Sequence, residues 1–145
     1  MKEPENQYRS DDEIRSLAAR FEDCTLPDED FDHRAHLAVA VWYLSAMSAE
    51  EVANRMRQSL MRFLAHYGVD PQKYNETITQ FWVRRLGRLL SATDSALTLA
   101  ERANRVIEQA GDSQTIFSYY TRERVFSEEG RTGWIEPDRK SMDEG

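Results

Sequence analysis

Cysteine is nearly absent: Cys24 stands alone. A single cysteine forms no internal disulfide, which fits a reducing compartment. It has no cationic neighbour in sequence to activate it, so a nucleophile is not expected there. No apolar run approaches the roughly 20 residues that a helix needs to cross a bilayer. The N-terminal stretch MKEPENQYRSDDE is acidic and polar, the wrong pattern for a signal peptide, and a cytoplasmic location is expected. Positive charge is also short, with 19 Lys and Arg against 26 Asp and Glu and a net charge of −7. The helical arginines Arg55, Arg57, Arg62, Arg84, Arg85 and Arg88 are diluted by apolar positions and form no basic stripe. Neither nucleic acid nor a membrane is therefore expected as a partner. Also missing are a glycine-rich phosphate loop, a nucleophile elbow around Ser113 or Ser127, and any period-two strand pattern.

What remains is helical periodicity. A chain of 145 residues fits one domain with a real core. Residues 1–9 read as a disordered tail, 10–138 as a single helical domain and 139–145 as a second tail. A first helix runs from Ser10 to about Asp23, with Ile14, Leu17, Ala18 and Phe21 on one face. A proline-bearing linker, TLPDED, precedes a helix over FDHRAHLAVAVWYL that ends near Ala46. Ser48 and Glu51 make a capping box for a third helix, which runs to Tyr67 before Gly68. The fourth, from about Pro71 or Lys73 to Leu90, has so wide an apolar arc that it should be central. A fifth spans about Asp94 to Gln109, and a sixth runs from Asp112 or Ser113 through Phe126. SEEGRTGWIEPDRK then reads as irregular. The expected fold is an all-α bundle of five to six helices with an irregular C-terminal segment.

Three stretches carry further information: FDHRAHLAVAVWYL, KYNETITQFW, and YYTRERVFS with GWIEPD. Together, over about residues 28–138, they resemble a family of small bacterial all-helical proteins with no established biochemical role. Its motifs run F-x-H-x-x-H-L, Y-H-E-T-I-T, Y-S-R-E-R-L-x-S and W-x-E-P-D. The matching positions here are His33, His36, Tyr74, Glu76, Thr77, Tyr120, Arg122, Glu123, Trp134, Glu136 and Asp138. Asn75 stands where the family usually has histidine. The resemblance implies a fold and a set of positions, not a reaction.

The chemistry open to those positions starts from the two histidines. His33 and His36 are one turn apart on the apolar side of their helix, and burying such groups unpaired costs free energy. With Glu76 from the fourth helix they would make a two-histidine, one-carboxylate set of the kind that holds a mononuclear metal. Glu-x-x-His and His-Glu-x-x-His signatures are missing, and Asn75 replaces a histidine, so no cofactor is expected. Without metal, His36 and Glu76 could act as an acid–base pair. Tyr74 and Tyr120 could then donate to an oxyanion, and His33, Asn75 and Arg122 could contact the substrate. On this reading the protein binds or transforms a small molecule inside the bundle. The alternative is a non-catalytic interaction protein, in which Glu76, Arg122 and the tyrosines form a structural network.

Overall fold

The computed structural model describes residues 7–142. Among these residues there are seven α-helices and no strand: α1 (Asp11–Glu22), α2 (His33–Leu44), α3 (Ala49–His66), α4 (Glu76–Ser91), α5 (Leu99–Ala110), α6 (Arg122–Val125) and α7 (Glu128–Thr132). Short 3-10 turns at Asp28–Asp30, Pro71–Lys73 and Thr115–Ser118 join them. The all-α bundle expected from periodicity is the architecture observed.

Each long helix starts where a side chain can accept from a free backbone N–H. Ser10 accepts from Glu13, Asp32 from Ala35 and Asn75 from Ile78. Reciprocal capping boxes open α3 (Ser48 with Glu51) and α5 (Thr98 with Glu101). These caps explain two boundary shifts. α4 starts at Glu76 rather than near Pro71, because Asn75 is its cap and Pro71–Lys73 form a separate 3-10 turn. α5 starts at Leu99 rather than Asp94, because Asp94 caps a turn by accepting from Ala96 N–H while Thr98 caps the helix.

α4 packs against α2, α3, α5 and α7, as its wide apolar arc implies. α2 is more deeply enclosed than one apolar face would give. Ala35, Leu37, Ala38, Val39, Ala40, Val41 and Tyr43 are all buried, with α1, α3, α4 and α5 around them. The alanines let these neighbours approach from several sides. On α1 the expected face, Ile14, Leu17, Ala18 and Phe21, is buried.

The sixth helix differs from expectation. Its span breaks into the Thr115–Ser118 turn and the four-residue α6, which Thr121 caps. The following stretch, expected to be irregular, contains α7, capped by Ser127. The tails also touch the bundle. Tyr8 exchanges two hydrogen bonds with Asn104 at 2.9 and 2.8 Å. Arg139 N–H donates to Tyr119 O at 2.9 Å, and Met142 packs on the core. The disorder expected at 1–9 and 139–145 otherwise falls on residues 1–6 and 143–145, outside the described residues.

Candidate functional site

Glu76 is the first residue of α4, and its side chain is only 6% exposed. Its carboxylate is fully engaged. Arg57 on α3 binds it in a fork, Nε to Oε1 and one terminal nitrogen to Oε2, both at 2.9 Å. Tyr74 Oη donates to Oε1 and Gln80 Nε2 to Oε2, each at 2.6 Å. Burial pushes the Glu76 carboxyl up, but the bonds from Arg57, Tyr74 and Gln80 outweigh it, so its pKa lies below the ordinary value. The Arg57 guanidinium is correspondingly held further toward its charged form by the Glu76 bonds. The Tyr74 phenol is raised, first by burial and then by its bond to Glu76, and stays a neutral donor.

The histidines lie elsewhere. His33 is half-buried, edge-on to Trp82 with ring centroids 4.8 Å apart. Its Nε2 lies 3.1 Å from Gly111 O, and because a carbonyl only accepts, Nε2 carries the proton. Arg85 Nε donates to the adjacent Ala110 O at 2.8 Å. Together these two side chains satisfy carbonyls at the C-terminus of α5 that the helix leaves free. Gly111 has φ +93, and a Cβ there would collide with Thr115 Oγ1, so glycine is required where His33 finds its acceptor.

His36 stacks obliquely on Phe31, with centroids 5.4 Å apart. It has no hydrogen-bond partner among the described residues. Desolvation, helped by His33, pulls its pKa down to about 4, so the ring is neutral at physiological pH.

No hydrogen bond or ion pair joins Glu76 to either histidine, so the acid–base pairing expected for His36 and Glu76 is not formed: the Glu76 oxygens accept from Arg57, Tyr74 and Gln80, while the His36 ring packs on Phe31. Among the described residues no group of three or more His, Cys, Asp or Glu side chains is arranged to hold a metal ion. The set His33, His36 and Glu76 is thus split between two places.

Several residues of the second and third motif stretches converge on a different task. Asn75 caps α4 and donates from Nδ2 to Val125 O at 2.9 Å. Thr77 Oγ1 donates to Gly133 O at 2.9 Å, and the buried Tyr120 Oη to Ile135 O at 2.6 Å. Thr121 donates to both Asp138 oxygens, at 2.8 and 2.7 Å, and Arg124 Nε to Glu136 O at 2.6 Å. Trp134 packs edge-on to Tyr120 and lies under the Arg84 guanidinium, 3.8 Å from the ring centroid. These contacts clasp the C-terminal segment to α4, through Thr77 and Arg84, and to the Tyr120–Arg124 stretch. Burial raises the Tyr120 phenol, which is committed to its carbonyl acceptor rather than turned to a cavity. Arg122 is exposed and stacks on Phe117 at 4.4 Å and Phe126 at 5.7 Å instead of entering the bundle.

The sequence did not single out Arg57, Gln80 and Arg85 for these roles. Gln80 follows Glu76 at i+4 and was readable on that ground. Arg57 flanks Met56 of the α3 apolar stripe, and only the packing of α3 on α4 carries it to Glu76. Among the described residues, one buried side-chain polar atom, Arg102 Nε, lacks a partner. None of the described helices is long and apolar enough to cross a membrane. The chain matches no family model, and no curated protein or solved structure is significantly similar to it.

Proposed function

We propose that this chain is a non-catalytic helical interaction protein and that its buried polar groups serve the fold. The observation that carries this reading is the saturation of Glu76. A general base needs a free lone pair facing a substrate. Here Arg57, Tyr74 and Gln80 take both oxygens, and neither histidine reaches them. Asn75, Thr77 and Tyr120 are likewise spent on backbone carbonyls of the C-terminal segment. A small-molecule site built on His33, His36 and Glu76 would require these bonds to be broken first.

Thermal and urea unfolding of Arg57→Met, Glu76→Gln and the double variant test the reading. Removing Arg57 strands a buried carboxylate. The expected loss is about 2–3 kcal/mol, below the range for wholly buried pairs because Arg57 stays partly in water. The double variant should lose less than the sum of the singles, with a coupling of about 1 kcal/mol or more. If both single variants keep wild-type stability, the network is not structural and the reading fails.

A further inference from the structure

We propose that the cationic patch over the Thr115–Ser118 turn docks an acidic segment of a partner protein that also carries an apolar anchor. This rests on the interaction reading above and names its surface.

Three cations meet at that turn. The Arg122 guanidinium lies over the Phe117 ring, 4.4 Å from its centroid. Arg139 donates from Nη1 to Phe117 O at 2.8 Å. The Lys140 ammonium lies over the Tyr119 ring, 4.7 Å from its centroid. All three residues are exposed. Beside them the half-buried Arg85 donates to Tyr119 Oη at 3.0 Å. A main-chain bond from Arg139 N–H to Tyr119 O, at 2.9 Å, holds the segment that carries Arg139 and Lys140 against the turn.

What these cations lack is a carboxylate. The ion pairs among the described residues join Arg15 to Asp12, Arg55 to Glu22 and Arg57 to Glu76, and none involves this patch. Rings and carbonyls fix a cation in place without cancelling its charge. The nearby acids gather elsewhere. Glu123, Glu128, Glu129 and Asp138 line a separate hollow with Arg124, and Thr121 donates to both Asp138 oxygens. Charge is thus sorted locally, and a chain of net charge −7 keeps one uncompensated cationic patch. Clustered arginines of this kind recognise acidic motifs.

Phe126 is the second observation. At 49% exposure it is the more exposed of the two large apolar side chains that the described residues leave in water. Its ring centroid is 6.2 Å from that of Phe117, and the Arg122 guanidinium lies 5.7 Å from it. An arginine set between aromatic rings has the composition of an interface hot spot. The occupant therefore combines Asp or Glu with an apolar side chain that covers Phe126. Single-stranded nucleic acid fits less well. Base stacking uses open ring faces, and cations already lie over Phe117 and Tyr119. The net negative charge also opposes a long polyanion, and a second copy of the chain.

The test uses the full chain and a short fluorescent peptide with glutamates on both sides of a central leucine pair. A counterpart carries glutamines in place of the glutamates. Anisotropy should rise saturably with the glutamate peptide, and the glutamine peptide should bind at least about tenfold more weakly. Arg122→Gln with Lys140→Gln should weaken the glutamate peptide at least about tenfold, and Phe126→Ser should weaken both peptides, while Tm holds because all three side chains are exposed. Arg15→Gln with Arg105→Gln removes the same charge from exposed positions on α1 and α5 and should change affinity less than about twofold. No saturable binding, equal binding of the two peptides, or equal losses in the two arginine variants would overturn the proposal. So would tighter binding of an oligonucleotide of the same charge. A dimer in sedimentation that Phe126→Ser dissolves would make the occupant a second copy. A tenfold gain of peptide affinity in Asp143→Asn with Glu144→Gln would make it the chain's own acidic end, and either result defeats the proposal. Flat stability in the Arg57 and Glu76 variants would sink the structural reading without changing any peptide result, so the two failures are separable.

Discussion

Two polar regions of the bundle are handled in opposite ways. At the start of α4 a carboxylate keeps its charge, because Arg57, Tyr74 and Gln80 replace the water it lost. On α2 a histidine gives up its charge, with a pKa drawn down to about 4 by desolvation and by His33. The difference follows from what lies opposite each group. Glu76 faces α3, which supplies a guanidinium. His36 faces Phe31, which supplies none. A buried ionisable group is tolerated either paired or neutral, and one small bundle uses both solutions.

Acid separates the two. The folded pKa of His36, about 4, lies below its ordinary 6.5. Between those values the unfolded chain binds the extra proton, so stability falls as pH drops from about 6.5 and levels off below about 4. The shift implies a loss of about 2 kcal/mol after allowing for partial exposure of the ring. Glu76 has the opposite chemistry and a lower window. Its folded pKa is depressed, so its contribution is complete above its ordinary value of 4.5 and is lost as pH falls through the folded pKa. Urea unfolding at a series of pH values should show both limbs. His36→Gln should flatten the limb between 6.5 and 4.5 and leave the acid limb. An unchanged upper limb in that variant would mean that His36 titrates normally in the fold.

A smaller effect probes how the carboxylate is shared. Tyr74→Phe removes one of four donors and leaves the Arg57 fork in place. The expected loss is about 1.5 kcal/mol, typical for one hydrogen bond to a charged group. The acid limb should also move up in pH, because the Tyr74 bond helps to hold the Glu76 pKa down. A loss as large as that of Arg57→Met would show that the tyrosine, not the fork, anchors the carboxylate.

Much of the fold was legible because caps and apolar stripes are local signals. Ser48 with Glu51, Asp32, and the Ile14–Phe21 face all sit where periodicity put them. The failures came where local signals compete. Thr121 and Ser127 each cap a short helix inside segments that read as one long helix and one coil. The site was less legible for a different reason. Glu76 pointing inward followed from its place on α4, but its partner did not. Which arginine reaches it depends on how α3 crosses α4, and Arg57 sits 19 residues away in sequence. A histidine stripe and a buried glutamate on two core-facing helices looked like one site, and the packing made them two.

The last test concerns that separation, and its expected result is close to zero. α2 and α4 pack against each other, so a long-range coupling between His36 and Glu76 would be plausible if their side chains shared a partner. They share none: the Glu76 bonds go to Arg57, Tyr74 and Gln80, and the His36 ring rests on Phe31. A double-mutant cycle with His36→Gln and Glu76→Gln, read by urea unfolding near pH 7.5, where His36 is neutral in both states, should be additive within about 0.3 kcal/mol. Repeating the cycle at pH 5 sharpens it. There the unfolded His36 is charged and the folded one is not, so each His36 term changes by the linkage free energy. The coupling should nevertheless stay near zero, because protonating the unfolded chain does not bring the two side chains together in the folded one. A coupling of about 1 kcal/mol or more at either pH would mean that the two regions communicate in solution. The acid–base pairing of His36 with Glu76 would then return as the better description of this site.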